Sequence, residues 1–293
     1  MNWFILATCS AILSAVAAII QKKVLFRLAA LEFSLVVSLC ILLVTSFVPF
    51  SFNVLSVPRS QILLIVGKSV LGGVAFLLVM LSLQHNQISD ALPLLGLTPA
   101  AAAVVAMALM GESLKGWEWA GILFMIAGTY TLERRPKQRL LEPFRSAFLS
   151  RNHFYIFGAV GLFALSSVID KSLVSSYRID PLIVLFYQHI TYVFVFGSAI
   201  WVRQIPLQAV IQKGKEQLPL IFTIALLTVG YRLTQLEATK GAPVSLVLAV
   251  KRTSILYASF FGGRIFLDDR LGWKLAGASL IVISGFIILR NVG

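Results

Sequence analysis

Lys251 and Arg252 lie side by side in the middle of an apolar stretch, residues 243–267, and are the side chains best suited to binding chemistry in this sequence. If that stretch spans a bilayer, both cations lie near its midplane. Inserting a lysine or arginine there costs roughly 2.5–3.5 kcal/mol for each residue. A water-filled pathway or a bound anion usually offsets that cost, so the pair predicts a transport pathway or an anion-binding site.

Further polar side chains interrupt other apolar stretches and are candidates for the same pathway. Arg232 follows Tyr231 in one stretch, and Lys68 lies within another. Both cations have an alternative interpretation as anchors at the membrane interface. Gln188 and His189 lie in the middle of a third stretch. A histidine at such a position is either a buried core residue or a pathway-lining group able to relay protons.

The carboxylates are distributed differently from these cations. Those near the apolar stretches all fall close to the ends of predicted spans, namely Glu32, Asp90, Asp170, Glu237, Asp268 and Asp269. A proton-coupled exporter of organic cations would be expected to hold a carboxylate near the midplane. A cationic interior instead attracts anions by Coulomb's law, so the charge pattern predicts an anionic solute.

The composition is that of a polytopic membrane protein. The 293 residues are 58% hydrophobic and 13% charged, with a mean hydropathy of +0.90, whereas soluble domains are about 45–50% apolar and about 25% charged. A net charge of +13 would suggest a nucleic-acid partner for a soluble protein. In this chain the charges lie between apolar stretches, so we expect a surrounding lipid bilayer and no nucleic-acid partner.

The apolar stretches also predict the fold, because crossing a hydrocarbon core of about 30 Å takes roughly 20 apolar residues as a helix. We expect an all-α integral membrane protein with ten transmembrane helices, at residues 3–20, 31–50, 61–83, 88–110, 117–132, 154–175, 181–202, 217–236, 243–267 and 271–290. A basic segment divides the ten helices into two groups of five. The chain is therefore predicted to consist of a five-helix unit at 1–132, a linker at 133–153 and a second unit at 154–293.

The two units resemble each other in sequence. Each ends with a carboxylate, a leucine and two spaced glycines, which are Glu112, Leu114, Gly121 and Gly128 in the first unit and Asp269, Leu271, Gly277 and Gly285 in the second. Earlier in each unit, Gln21-Lys22 corresponds to Asp170-Lys171. We expect the repeated carboxylates to cap short turns at helix N-termini, where negative charge is favoured. The four glycines are expected to let neighbouring helices pack closely.

This repeat has a geometric consequence. Because each unit has an odd number of spans, the second unit enters the membrane in the opposite orientation to the first. Such inverted repeats are typical of secondary transporters, whose substrate sites lie near the midplane between the repeats. Lys251 and Arg252 are predicted to lie at that depth. Alternating access would follow from one repeat rocking against the other.

Two five-span repeats that each close on a carboxylate, a leucine and spaced glycines resemble the EamA family of the drug/metabolite transporter superfamily. The residues that carry the resemblance are Gly111-Glu112-Ser113-Leu114 with Gly121 and Gly128, and Asp268-Asp269-Arg270-Leu271 with Gly277 and Gly285. The resemblance covers nearly the whole chain. It implies an integral-membrane carrier of small organic solutes that neither holds a cofactor nor hydrolyses ATP.

A narrower resemblance concerns the ninth predicted span. The run from Lys251 to Ser254, followed by Ser259-Phe260-Phe261, is similar to the Lys-Arg motif of plastid phosphate translocators and nucleotide-sugar transporters. In those families the pair engages the phosphate of the substrate. The translocators also place a tyrosine and a glutamine on the eighth span. This resemblance implies that the plausible counterparts, Tyr231 and Gln235, are substrate-binding residues.

These patterns together predict a secondary transporter for a small organic anion that bears phosphate or carboxylate. The sequence contains no P-loop, metalloprotease, nucleophile-elbow or metal-binding motif, so we expect neither an enzyme nor a metal site. Two alternatives remain open: an exporter of neutral or zwitterionic amino acids or drugs, in which Lys251 and Arg252 are locked in ion pairs, and a lipid-phosphate flippase. We expect a monomer or homodimer in a bacterial cytoplasmic (inner) membrane.

Overall fold

The computed structural model describes residues 2–88, 92, 94–111, 116–133, 151–267, 272, 275–277, 279–280 and 283–284. Every regular element within those ranges is a helix. The helices of eight residues or more are α1 (Trp3–Val24), α2 (Ala30–Val44), α3 (Arg59–His85), α4 (Thr98–Met110), α5 (Gly116–Glu133), α6 (Arg151–Lys171), α7 (Pro181–Val202), α8 (Leu207–Glu216), α9 (Leu218–Lys240) and α10 (Val244–Lys251).

Shorter helical segments join or extend these helices. They are the α-helical turns Val48–Ser51, Ser254–Tyr257 and Gly263–Ile265, the 3₁₀ turns Val54–Ser56 and Leu95–Leu97, and the π-helical turns Ser172–Ser176 and Ala258–Gly262. Two of them matter for the site. The first π-helical turn continues α6, and the segments after α10 make the ninth predicted span a broken helix.

Seven helical stretches among the described residues are long and apolar enough to cross a membrane, which confirms an all-helical, multi-pass protein. They are Trp3–Val24, Ala30–Ser51, Arg59–His85, Phe154–Ser176, Pro181–Val202, Leu218–Lys240 and Val244–Ile265. The fourth predicted span contains a shorter apolar helix, Leu95–Met110, and the fifth corresponds to α5. Most of the tenth predicted span and of the predicted linker lies outside the described residues. The arrangement of ten helices in two repeats therefore stays a prediction.

Local signals in the sequence determine where several helices begin and end. Asn2 caps α1 by accepting a hydrogen bond from the backbone N–H of Phe4 at 3.0 Å. Asp180 caps α7 in the same way, accepting from the N–H of Leu182 at 2.8 Å. Each cap satisfies a donor that has no partner inside its helix. The helix α4 stops before Gly111, whose φ of 67° is the left-handed conformation common at helix C-termini.

Two closely packed helix pairs form the framework of the site. The helix α1 packs along α9, and α3 packs along α6. The pair α3–α6 is antiparallel, because Lys68 contacts Asp170 at one level while Leu78 lies against Gly158 at another. The helix α7 packs on α2 and α3, and α10 packs on α1 and α4. Helices from both halves of the chain therefore surround one central region.

Candidate functional site

Asp170 is the centre of a buried charged cluster. Its carboxylate is 2.7 Å from Nζ of Lys68 and 2.9 Å from Nη2 of Arg232. The side chains of Lys68 and Asp170 are 0% and 3% exposed, and that of Arg232 is 14% exposed. A buried charge is tolerated only when it is paired and hydrogen-bonded. These ion pairs therefore join α3, α6 and α9 at one point.

Two glutamines extend the cluster with their side-chain oxygens. Oε1 of Gln188 accepts hydrogen bonds from Lys68 Nζ at 2.6 Å and from Arg232 Nη2 at 3.0 Å. Oε1 of Gln235 accepts from Arg232 Nη1 at 3.2 Å and also from Lys251 Nζ. A continuous polar network thus runs from Lys68 on α3 to Lys251 at the end of α10.

Lys251 and Arg252 lie where the ninth predicted span breaks. Lys251 is the last residue of α10, and Arg252 is its C-terminal cap, with its backbone N–H donating to the carbonyl of Leu248 at 2.9 Å. The next α-helical turn begins at Ser254. The C-terminal end of a helix favours a nearby cation by roughly 0.3–1 kcal/mol. This local field offsets part of the cost of placing two adjacent cations inside a membrane span.

All the hydrogen-bonding and ring partners of Lys251 and Arg252 among the described residues are neutral. Nζ of Lys251 lies 4.7 Å from the ring centroid of Tyr231, and it also donates to Gln235. Nη2 of Arg252 donates to the hydroxyl of Thr98 at 2.8 Å, while its Nε is buried without a hydrogen-bond partner in the described structure. Neither cation is paired with a carboxylate of the described chain.

A cavity of about 160 Å³ lies against this network, with room for several water molecules or a small solute. Its charged and polar wall includes Asp170, Gln188, His189, Arg232, Lys251 and Arg252. Tyr231, Thr228 and Gln235 also line it, whereas Lys68 lies behind Asp170 and does not. The cavity is therefore bounded at this end by three cations and one carboxylate.

His189 lies beside the polar network but is not hydrogen-bonded to it. It is 3% exposed, and neither ring nitrogen has a hydrogen-bond partner among the described residues. Its ring packs edge-on against Tyr192, with the centroids 5.1 Å apart. Gly72 makes room for that tyrosine, because a Cβ there would come within 2.7 Å of the Tyr192 hydroxyl. An unpaired buried polar atom costs about 1–3 kcal/mol, and His189 lines the cavity with two such atoms.

Asp170 lies six residues before the end of the helical stretch Phe154–Ser176, and the predicted span 154–175 had placed it five residues from the end. The sequence did not predict its partners. Cations on α3 and α9 reach the carboxylate from both sides. The repeat contained a usable signal, because Gln21, which corresponds to Asp170 in the first unit, also lines the cavity.

The structure brings the predicted substrate-binding residues into one neighbourhood, and their binding role stays a prediction. All eight lie in the network or in the cavity wall: Lys68, Gln188, His189, Tyr231, Arg232, Gln235, Lys251 and Arg252. Sequence reasoning missed Asp170, Thr98 and Tyr192, which become neighbours of these residues only through packing between helices. Within the described ranges, no group of three His, Cys, Asp or Glu residues converges as a metal site.

The residues predicted to have structural roles are only partly described. Gly121, Gly128 and Gly277 are buried, as close helix packing requires. Glu112, Asp269 and Gly285 lie outside the described residues. The capping role of the two carboxylates therefore stays a prediction.

Comparison with known proteins supports the family prediction for the first half of the chain. Residues 1–133 match the model of the EamA-like transporter family. A solved crystal structure, described only as that of a protein, has a TM-score of 0.61 over 95% of this chain and 96% of its own, at 13% identity, which shows a shared fold. No curated protein gives a significant match. The seven candidate spans indicate a multi-pass membrane protein, and the family that the first half matches is one of transporters. Similarity to phosphate translocators and nucleotide-sugar transporters stays a prediction.

Proposed function

We propose that this protein is a secondary transporter that moves a small organic anion, bearing phosphate or carboxylate, by alternating access. The observation that carries the proposal is the environment of Lys251 and Arg252. Both cations line the cavity, and among the described residues they have only neutral partners. An anion in the cavity would supply the charge that the protein itself does not place beside them.

The balance of charge supports an anion over the alternatives. The site holds four cations, Lys68, Arg232, Lys251 and Arg252, against the carboxylate of Asp170, which leaves a formal excess of three positive charges. At 4 Å and an effective dielectric constant of 20, one opposite charge is worth about 4 kcal/mol before desolvation. A zwitterionic substrate would need a partner for its amine. The carboxylate of Asp170 is already ion-paired through both oxygens and is poorly placed to serve as that partner.

Helix packing supports alternating access between two repeats. In the predicted repeat, α1 and α6 are the first spans of their units, and α3 and α9 are the third. The first span of each unit packs along the third span of the other, as α1 with α9 and α6 with α3. The break after Lys251 adds support, because discontinuous helices commonly form the substrate sites of such transporters.

The proposal is tested by reconstituting the purified protein in liposomes and measuring uptake of labelled sugar phosphates, nucleotides, carboxylates and neutral amino acids. We expect uptake of at least one anion class and its loss in Lys251→Gln, with folding retained. The matched control is Lys240→Gln on α9, which removes an exposed lysine paired with Glu237 at 2.8 Å and should leave transport intact. Unchanged anion transport in Lys251→Gln would reject the site, and uptake of amino acids alone would reject the anion.

A further inference from the structure

The cavity has two chemically different ends. Along α3 its wall runs from Gly72 to Leu83, a distance of about 16 Å at 1.5 Å per residue. The Gly72 end lies beside Tyr192 and Ser166, next to the ion-paired cluster. The Leu83 end lies toward the C-terminus of α3, away from that cluster. Buried Lys22 donates to the carbonyls of Leu83 and Asn86 at the Leu83 end, but it does not line the cavity. Among the described residues, the charged side chains that line the cavity are therefore all at the Gly72 end.

Apolar side chains form most of the wall beyond the charged end. The helix α3 contributes Phe76, Val79, Met80 and Leu83, and Ile255 lines the cavity from the segment that follows the helix break. Val79 and Met80 are 5% and 2% exposed, so the lining is part of the packed interior. A group placed against these side chains is removed from water without gaining a hydrogen-bond partner from them.

The polar exceptions at this end are few. Ser14 and Ser38 line the cavity, but their hydroxyls donate to backbone carbonyls of their own helices at 3.0 and 2.7 Å. Gln21 is the remaining polar side chain of α1 in the wall. No lysine, arginine, aspartate or glutamate among the described residues lines this part of the cavity. This part of the wall thus has few hydrogen-bonding groups for a solute that carries many hydroxyl groups. It also has no lining cation for a second acidic group.

We propose that the substrate is an amphipathic monoanion, with one acidic group bound by Lys251 and Arg252 and a compact apolar body against Val79, Met80 and Ile255. This inference rests on the proposed function and narrows its substrate class. An aryl-alkanoate or branched alkanoate has this chemistry. A sugar phosphate or nucleotide does not, because its hydroxyl groups would lose hydrogen bonds to water on entering the apolar part.

Binding of three probes to the purified protein, measured by isothermal titration calorimetry, tests the inference. 4-Phenylbutyrate has charge and an apolar body, 4-phenylbutanamide has the body without the charge, and gluconate has the charge with a hydroxylated body. We expect 4-phenylbutyrate to bind at least ten-fold more tightly than either of the others. Tighter binding of gluconate, lost in Lys251→Gln, would overturn this inference and leave the anion transporter standing. Equal binding of the amide and the acid, or no binding of 4-phenylbutyrate, would overturn this inference, whereas the anion transporter itself is rejected by the outcome of the uptake assay.

A substitution in the apolar wall provides the second readout. Met80→Gln keeps the length of the side chain but makes it polar, so we expect at least five-fold weaker binding of 4-phenylbutyrate. The matched control is Met107→Gln on α4, where the methionine is 40% exposed and does not line the cavity. If Met80→Gln does not fold, as judged by its unfolding temperature, the nearly isosteric Val79→Thr decides. Unchanged 4-phenylbutyrate binding in the folded variant would overturn the inference.

Discussion

Two pairs of cations in the same membrane region are treated differently by this fold. Lys68 and Arg232 share the carboxylate of Asp170 at 2.7 and 2.9 Å, so their charge is partly neutralised from within. Lys251 and Arg252 have a glutamine oxygen, an aromatic ring and a hydroxyl as their partners among the described residues. The first pair holds three helices together, whereas the second keeps its charge available at the cavity wall.

A cation inside a membrane span is therefore not by itself a functional residue. Its partner decides its role. Removing the shared carboxylate would leave two buried charges without compensation, and removing a cation that has only neutral partners would relieve an unfavourable charge. The two pairs should therefore respond in opposite ways to the same kind of substitution.

The largest effect is expected from Asp170→Asn. The substitution keeps the shape of the side chain but leaves Lys68 and Arg232 without their counter-charge, so the free energy of unfolding should fall by about 3–5 kcal/mol. Denaturant unfolding in detergent measures it. Glu237→Gln is the control, because it breaks an exposed pair with Lys240 and should change stability by less than about 1 kcal/mol. Equal effects of the two substitutions would show that Asp170 does not hold the helices together.

The second prediction compares one lysine from each pair. Lys68→Gln removes the ion pair with Asp170 and the hydrogen bond to Gln188 and should lower the free energy of unfolding by about 2 kcal/mol. Lys251→Gln should leave it unchanged within about 0.5 kcal/mol or raise it, because a poorly compensated charge is removed from the membrane. Both variants are unfolded under the same detergent conditions. A larger loss in Lys251→Gln would mean that Lys251 is structural.

The sequence could predict the cations of this comparison but not their partners. A lysine or arginine inside an apolar stretch is visible without a structure, because its insertion is costly wherever the helix packs. Lys251, Arg252, Arg232 and Lys68 were found in this way. Whether a carboxylate reaches them depends on which helices meet. Asp170 and Lys68 are about a hundred residues apart in the chain and are joined only because α3 packs against α6.

The same distinction applies to the fold. Composition predicts which segments are helices, whereas packing decides which helices contact each other. Apolar stretches near Trp3–Val24 and Pro181–Val202 had to be helices, since backbone groups in lipid must be hydrogen-bonded within the segment. The predicted span 154–175 likewise differs by one residue from the observed stretch Phe154–Ser176. The sequence could not show that Lys68 on α3 and Arg232 on α9 pack against Asp170 near the end of that stretch.

The third prediction concerns a substitution that gives Lys251 a carboxylate partner, as Lys68 and Arg232 already have in Asp170. Gln235→Glu places a carboxylate where Oε1 of Gln235 now accepts hydrogen bonds from Lys251 and Arg232. The internal carboxylate would compete with the transported anion, so anion binding should weaken at least ten-fold, about 1.4 kcal/mol. Gln208→Glu on the exposed face of α8 adds the same charge away from the cavity and serves as the control. Retained affinity in Gln235→Glu would place the anion elsewhere.

The smallest effect concerns Thr98, whose hydroxyl is a neutral partner of Arg252. Thr98→Val preserves the shape of the side chain but removes the acceptor for Arg252 and the donor to the carbonyl of Leu95. The free energy of unfolding should fall by about 1 kcal/mol. Anion affinity should change less than three-fold, because a neutral oxygen beside Arg252 orients the guanidinium without neutralising it. Denaturant unfolding and calorimetric titration of the same preparation give both quantities.

Thr223→Val is the control, since that exposed hydroxyl bonds only to Pro219 of its own helix among the described residues. A large loss of affinity in Thr98→Val would mean that the position of Arg252, and not only its charge, limits anion binding.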